Sequence, residues 1–472
     1  MNGKKLTSLE KSWILYDVGN SAFILLVSTI IPILFKNLAS QAGVANAQST
    51  VYYSYAASIT TIVVAILGPI FGKMGDRHST RKKHFIISFV AGAIACLCLS
   101  ITNSYLVFLG IFILAKVAYS ISLIHYDSML MDVTDKDRMD EISSQGFAWG
   151  YIGSCIPFVI SLMIILLSDK IGLTMNNAMK LSFIICGIWW IVSSIPLSRQ
   201  YNQRCVNSED TNIIEVLKEI KNNKKVLKFL IAFFFYIDGV YTIIEMATSY
   251  GKDVGIDDNS MLLALLLTQV IAFPFSLIFG KLSKKYKTDN LISIAVGAYF
   301  IIALFALSLD CAWKFWLLAI CVAIFQGAVQ ALSRSYYARI IPQEKAGEYF
   351  GIYDIFGKGA SFFGTMLMGI ATHITGNSRV GVFMIALMIF IGFCIFNGGR
   401  IRESEKNKEV ITDTELAFTD NDIISSWAVD SVKKAYSLGI VKGMDNGEFA
   451  PKSNALREQA FVIIARLIEK LK

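Results

Sequence analysis

The sequence predicts an all-α, polytopic membrane protein: twelve transmembrane helices in two six-helix halves, with a small helical module at the C-terminus. Three observations predict it. The 472-residue chain is 54% hydrophobic and only 17% charged, against about 25% charged in an ordinary soluble protein, and its mean hydropathy is +0.55. Apolar windows of about twenty residues, enough to cross a hydrocarbon core as a helix, recur twelve times. Features of the first six windows return in the second six. A β-barrel would show shorter, alternating segments instead.

The windows fall near 13–36, 51–72, 84–102, 105–127, 143–168, 179–197, 228–250, 260–280, 289–309, 313–333, 349–372 and 379–397. Basic residues gather in alternate loops, at 4–11, 73–83, 136–138, 199–228, 281–287 and 334–345. The other side holds only Lys36, Lys170, Lys180, Lys252, Lys314 and Arg379. The positive-inside rule then puts the N-terminus and both ends of the bundle in the cytoplasm. Lys4 and Lys5 precede the first span, but no short h-region with an A-x-A exit follows, so no cleavable signal is expected.

The bundle spans about 1–400. Its halves are about 1–197 and 228–400, joined by a cytoplasmic loop at 198–227. The central loop carries the amphipathic, basic run I-I-E-V-L-K-E-I-K-N-N-K-K-V-L-K, ending at Lys228 and expected to lie as a helix on the inner leaflet and tie the halves together. A polar linker at 401–416 leads to a module at 417–472.

Composition excludes several classes. The net charge of +8 resides in short loops and sets topology, so no nucleic-acid partner is expected. The cysteines lie mostly inside apolar runs with no C-x-x-C pair, and the four histidines are scattered, so neither a metal site nor a disulfide framework is expected. No P-loop is present. The chain reads as neither an enzyme nor a cofactor carrier.

The informative residues are polar ones inside the spans. Asp17 and Asn20 sit three residues apart in the first span, on one helix face. Lipid penalises a charge at that depth, so the face turns to protein. Asp17 capping the span near the cytoplasmic surface is the plainer alternative. Asp238 and Glu245 are seven apart on the seventh span and share a face. Lys116 lies midway along the fourth, and Asp354 and Lys358 form an i,i+4 pair entering the eleventh. Ionisable groups so placed normally face the bundle interior. Asp238 and Glu245 are candidates for proton coupling or for holding an ammonium group. Lys116 and Lys358 are candidates for a carboxylate or for balancing those acids. Structural ion pairing is the alternative, most directly for Asp354 and Lys358.

The repeat is visible in detail. Gly72 and Gly280 each end a span and open a basic loop, 208 residues apart. Glu141 and Glu348, and Trp149-Gly150 and Phe356-Gly357, keep an offset of 207. Asp17-Val18-Gly19 has an echo in Asp238-Gly239. At the same offset Arg334 faces Asp127, a candidate cytoplasmic gate pair. Gly146, Gly150 and Gly153 recur on the fifth span, where small residues let helices approach closely.

The loop Gly72-Lys73-Met74-Gly75-Asp76-Arg77-His78-Ser79-Thr80-Arg81-Lys82 resembles the major facilitator loop between spans two and three. The resemblance implies a gating loop: Gly72 for a tight turn, Asp76 as a latch to an arginine or a helix N-terminus, and Arg77 and Arg81 as anchors to lipid phosphates or carboxylates. The second copy, Gly280-Lys281-Leu282-Ser283-Lys284-Lys285, lacks the aspartate, so the latch is expected mainly in the first half. With Trp13–Phe23, His125–Val133, Arg138–Gly153, Phe235–Met246, Gln326–Pro342 and Glu348–Gly359, the chain over about 8–400 resembles the "unknown major facilitator" branch, whose fungal members are vacuolar amino-acid effluxers. The resemblance implies membrane transport, with amino-acid efflux as a family-level expectation; with the intramembrane acids it reads as secondary, proton-coupled transport of a small polar solute by alternating access between the halves.

The C-terminal residues Phe418-Thr419-Asp420, Trp427-Ala428, Gly439-Ile440-Val441, Gly443, Gly447, Phe449, Pro451 and Leu456–Ala460 resemble one S-layer homology repeat. That implies cell-wall polysaccharide as a partner and Arg457 as the ligand contact. Wall binding conflicts with the cytoplasmic side that positive charge predicts. A rival reading follows from the same module: a non-transporting membrane anchor or sensor attached to the cell envelope.

Overall fold

The computed structural model describes residues 5–77, 80–204, 213–253, 255–256, 258–413, 416–425, 428–437, 439–444, 446–453, 462–463 and 466. It divides into two compact units, Met1–Phe396 and Asn397–Lys472.

The helices of the first half are α1 (Ser8–Ser28), α2 (Ile30–Gln41), α3 (Asn46–Asp76), α4 (Thr80–Cys98), α5 (Tyr105–Val133), α6 (Met139–Leu166) and α7 (Met175–Gln200). A short helix α8 (Ile213–Asn222) follows. The second half comprises α9 (Lys224–Asp253), α10 (Asp258–Leu282), α11 (Thr288–Ala306), α12 (Ala312–Ile340), α13 (Ala346–Thr375) and α14 (Ser378–Asp413). Each of the twelve apolar windows falls mainly in one of these long helices, the first shared between α1 and α2, with 84–102, 143–168 and 289–309 running two to four residues past a helix end. Among the described residues nine helices are long and apolar enough to cross a membrane alone, and ten spans result if α1 and α2 count as one. The remaining two, α4 and α13, carry charge at their ends or along their length: Arg81, Lys82 and Lys83 in α4, and Glu348 and Asp354 in α13.

The helix start at Ser8 is fixed by a capping box. Glu10 N donates to Thr7 Oγ1 at 3.1 Å, and Thr7 N donates to Glu10 Oε2 at 2.8 Å. The first span is not straight. It bends by 40° at Thr29, between α1 and α2. Pro32 follows in the first turn of α2 and has no N–H to continue the ladder, and the Thr29 hydroxyl bonds Leu25 O at 2.5 Å.

Helix α1 packs on α6 and α7, α10 on α6 and α12, and α3 on α13. The glycine stripe of α6 seats α1. A Cβ added at Gly150 would lie 2.8 Å from Ser21 Oγ, and one at Gly153 would lie 2.5 Å from Val18 Cγ1. Helix α8 buries Val216 and Ile220, and its Glu219 accepts from Lys345 Nζ at 2.6 Å. It therefore binds the second half next to the start of α13.

Helices alternate in direction, so α1 starts at the end where α3, α5, α7, α10 and α12 finish and where α6 and α13 begin. We call this the basal end. The cross-half contacts described below gather there.

In the second unit, Phe418, Ile424 and Val432 form a small core with Leu416, Tyr436, Val441 and Phe449 around them. One helix, α15 (Val429–Ser437), is described. Gly439, Gly443 and Gly447 have φ of 68°, 79° and 82°, a left-handed backbone that suits glycine. Helix α14 runs to Asp413, through residues expected to form the linker.

Candidate functional site

At the basal end, α12 of the second half inserts one arginine into the first half. Arg334 is 3% exposed. Its Nη1 donates to Asp127 Oδ1 of α5 at 3.0 Å, and its Nη2 to Asp17 Oδ2 of α1 at 3.4 Å. Its Nε donates to Ser143 Oγ of α6 at 2.9 Å, and Nη2 also reaches Ser143 O at 3.1 Å. The guanidinium carbon lies 4.4 Å from the Phe147 ring, 4.7 Å from Trp13 and 5.5 Å from Tyr126. These residues come in pairs that helical spacing puts on one face: Trp13 with Asp17, and Ser143 with Phe147, each four apart. Trp13 stacks on Tyr126 at 4.3 Å, and its indole donates to Tyr126 O at 3.0 Å. Asp17 also accepts from Asn20 Nδ2 at 3.3 Å. Gly146 makes the room, since a Cβ there would lie 2.5 Å from Asp17 Oδ2. Asp17 is thus buried against Arg334, and the reading in which it caps the span at the surface is set aside.

Below this cluster the halves touch backbone to backbone. A Cβ at Gly72 would lie 2.1 Å from Gly347 O, and one at Gly351 would lie 2.7 Å from Pro69 Cα and 2.8 Å from Gly68 O. Gly72 makes no turn: α3 continues to Asp76, and the glycine is needed because α13 crosses there. Asp76 caps the start of α13. Its Oδ1 accepts from Gly347 N at 2.7 Å and its Oδ2 from Glu348 N at 2.9 Å, satisfying amides that a helix N-terminus leaves open. Asp76 also pairs with Arg81 at 2.5 Å, and Arg81 with Asp132 at 2.8 Å. Arg81 is fully buried, so of its two expected partners, lipid phosphates or carboxylates, it meets the carboxylates. Arg77 is exposed.

The second copy of the loop lacks the aspartate but not the contact. At the position matching Asp76 stands Lys284, whose Nζ pairs with Glu141 Oε2 at 2.8 Å near the start of α6. Next to it Asp140 accepts from Thr288 Oγ1, from Ser335 Oγ and, at 2.6 Å, from Arg339 Nη2. A Cβ at Gly280 would lie 2.7 Å from Ser144 Cβ. Both halves therefore contribute a seam, with the charges reversed between copies.

Asp238 lies apart from this cluster. Its Oδ1 accepts from Gly364 N of α13 at 2.9 Å, and from Thr242 at 3.3 Å. Its Oδ2 is buried with no hydrogen-bond partner among the described residues. Glu245, two turns on, is exposed and feels the charge of Lys116 on α5. Lys116 also lies 5.9 Å from the Phe112 ring. Asp354 is half-buried, and the Lys358 side chain lies outside the described residues. Arg457 also lies outside them. A cavity of about 110 Å³ opens within the second half, lined mainly by aliphatic and aromatic groups with Thr242, Thr268, Gln269 and Gln326.

Sequence reading missed Trp13, Tyr126, Ser143, Phe147 and Asp140. For Ser143 and Asp140 the signal was available: each is polar and at the start of an apolar run. The aromatic residues carried none, because a ring in an apolar span reads as core or lipid contact.

The two-half helical bundle, with Asp17, Asp127 and Arg334 meeting at the interface, has the fold of major facilitator superfamily transporters. It superposes on FucP in the outward conformation with a TM-score of 0.65 at 14% identity, over 83% of this chain and 97% of that one. For the human organic anion transporter MFSD10 the TM-score is 0.64 at 10% identity, over 82% and 98%. The layout of those proteins implies twelve spans here. The family described as "Vacuole effluxer Atg22 like" matches residues 7–409, and the chain belongs to it. It is 39% identical to the uncharacterized MFS-type transporter YxiO of Bacillus subtilis, over 83% of this chain and 95% of that one. It is 22% identical to Autophagy-related protein 22 of Saccharomyces cerevisiae, over 87% and 96%. Residues 417–461 match the S-layer homology domain, a module that implies cell-wall binding. The chain is a multi-pass MFS-type transporter and not an enzyme.

Proposed function

We propose that the protein is a secondary active transporter that exports a small polar solute, with amino acids the first class to test, by alternating access coupled to protons. The observation that carries this reading is the set of ionisable groups held where two repeated halves meet, Asp17, Asp127 and Arg334 at the basal end and Glu245 with Lys116 beyond it, together with Asp238 buried inside the second half. A static anchor gains nothing from burying such groups.

In this reading the basal end is cytoplasmic, following the positive charge of its loops. Asp76, Arg81 and the Asp127–Arg334 pair hold that end shut. Asp238 and Glu245 carry the proton or bind an ammonium group. Lys116 and Lys358 balance them or hold a carboxylate. The C-terminal module then also lies in the cytoplasm.

The test is uptake and counterflow of a pooled, labelled amino-acid panel in proteoliposomes, with and without an imposed proton gradient. Saturable, gradient-dependent flux supports the reading. No flux from folded protein removes amino acids as the substrate.

The S-layer homology match favours a second reading, a non-transporting anchor or sensor attached to the cell envelope. A solute-specific conformational change without net flux supports it, as does outside labelling of residues past 416 in intact cells.

A further inference from the structure

Arg334 is the one member of its cluster that comes from the second half. Everything that holds it belongs to the first half: Asp17 and Trp13 on α1, Tyr126 and Asp127 on α5, and Ser143 and Phe147 on α6. Those groups form a complete receptor for a flat, delocalised cation. Two carboxylates supply the charge. The Ser143 hydroxyl and carbonyl accept two further N–H groups. Three aromatic rings lie within 5.5 Å of the guanidinium carbon, inside the range of a cation–π contact. The receptor carries two negative groups against one guanidinium. The buried Tyr126 hydroxyl faces Asp17 and adds a further polar group to the site. The receptor is also braced within the first half, through the Trp13–Tyr126 stack, the Trp13 indole bond and the Asn20–Asp17 bond. The bond from Ser143 Oγ to Ala331 O at 2.7 Å crosses to the second half and parts together with Arg334.

We propose that the first half holds a binding site for a guanidinium-bearing organic cation, occupied by Arg334 while the basal end is closed and open to a free ligand when the halves part there. The inference rests on the alternating opening proposed above. Arg334 acts as a tethered competitor: a free cation in the site opposes closure, and closure expels it. The planar ion is preferred over a compact ammonium because a guanidinium stacks on rings and spreads its N–H groups over several acceptors.

The experiment measures equilibrium binding of radiolabelled methylguanidinium to the purified full-length protein. Gly72→Leu holds the basal end apart while keeping Arg334, since even a Cβ at that position would lie 2.1 Å from Gly347 O. Arg334→Ala vacates the site directly. Both variants should bind methylguanidinium at least about tenfold more tightly than the wild type, in proportion to the population of open site. Adding Asp17→Asn or Asp127→Asn to either should abolish the gain. If Gly72→Leu does not fold, Arg334→Ala carries the test. Three results overturn the proposal: no binding to either variant once monodisperse, binding indifferent to Asp17 and Asp127, or methylammonium binding as tightly as methylguanidinium. Binding needs no transport, so the two readings separate. Binding without amino-acid flux in liposomes removes the amino-acid reading alone, and flux without binding removes the receptor alone.

Discussion

Asp127 and Arg334 occupy matching positions in the two halves, 207 residues apart, and bind each other at 3.0 Å. The two matching positions carry opposite charge and meet at the interface. The pair is not isolated, because Asp17 and Ser143 share the same guanidinium. Its surroundings decide what each substitution should do.

Arg334→Gln should be the most damaging single change at the basal end. It leaves the buried Asp17 and the partly buried Asp127 together without a cation, where breaking a fully buried pair costs about 3–5 kcal/mol. Adding Asp127→Asn should recover part of the thermal stability without recovering flux. Thermal unfolding of the two variants beside the wild type checks this, and equal melting of single and double variants would refute it.

The Asp76 and Lys284 contacts should differ in strength. Asp76→Ala removes a helix cap, at about 0.5–2 kcal/mol, and strips one partner from the buried Arg81. Lys284→Ala breaks a pair in which the lysine is 41% exposed, and such pairs contribute only about 0–1 kcal/mol. Glu141→Lys with Lys284→Glu should restore any activity lost in the single variants. Melting temperatures and flux at low and high salt distinguish the two copies.

Gly351→Val should block closure without unfolding either half, because the obstruction is the α3 backbone at Gly68 and Pro69. Flux should fall by at least about tenfold. A cysteine introduced at Ser144, which is 1% exposed, should become reactive to a soluble maleimide in that variant only.

If Asp238 and Glu245 couple the gradient, Asp238→Asn and Glu245→Gln should each stop gradient-driven flux while exchange down a solute gradient survives. Intact gradient-driven flux in both would end the coupling assignment.

The C-terminal module should lose stability in acid through Asp420. The Phe449 N–H at 2.8 Å, joined by the Ala450 N–H at 2.7 Å, holds its carboxylate below the usual range. A depressed native value means that this contribution is fully present above the unfolded value of about 3.9, and is lost as pH falls through the lower native one. Limited proteolysis of the full chain should show the module opening in acid, and Asp420→Asn should weaken that dependence.

The long helices were legible because each crosses the membrane as one apolar run. Their ends were not. Hydropathy drops at Lys73, yet α3 continues to Asp76, since a helix does not stop where lipid does. The Asp127–Arg334 contact was legible from the repeat offset alone. The ring cage around Arg334 was not, because Trp13, Tyr126 and Phe147 look like any other apolar residues until a cation is brought to them. Arg81 looked like a loop residue because its partners Asp76 and Asp132 are 5 and 51 residues away.

The seam between α3 and α13 is made by Gly68, Gly72, Gly347 and Gly351, where main chain meets main chain. Two such surfaces have no knobs to withdraw from holes. They can separate and reseat without any rotamer changing, and they leave behind little apolar area for water to resist. The joint therefore works like a bearing, smooth and nearly neutral. The balance between its open and shut positions passes to the few charged contacts at its rim.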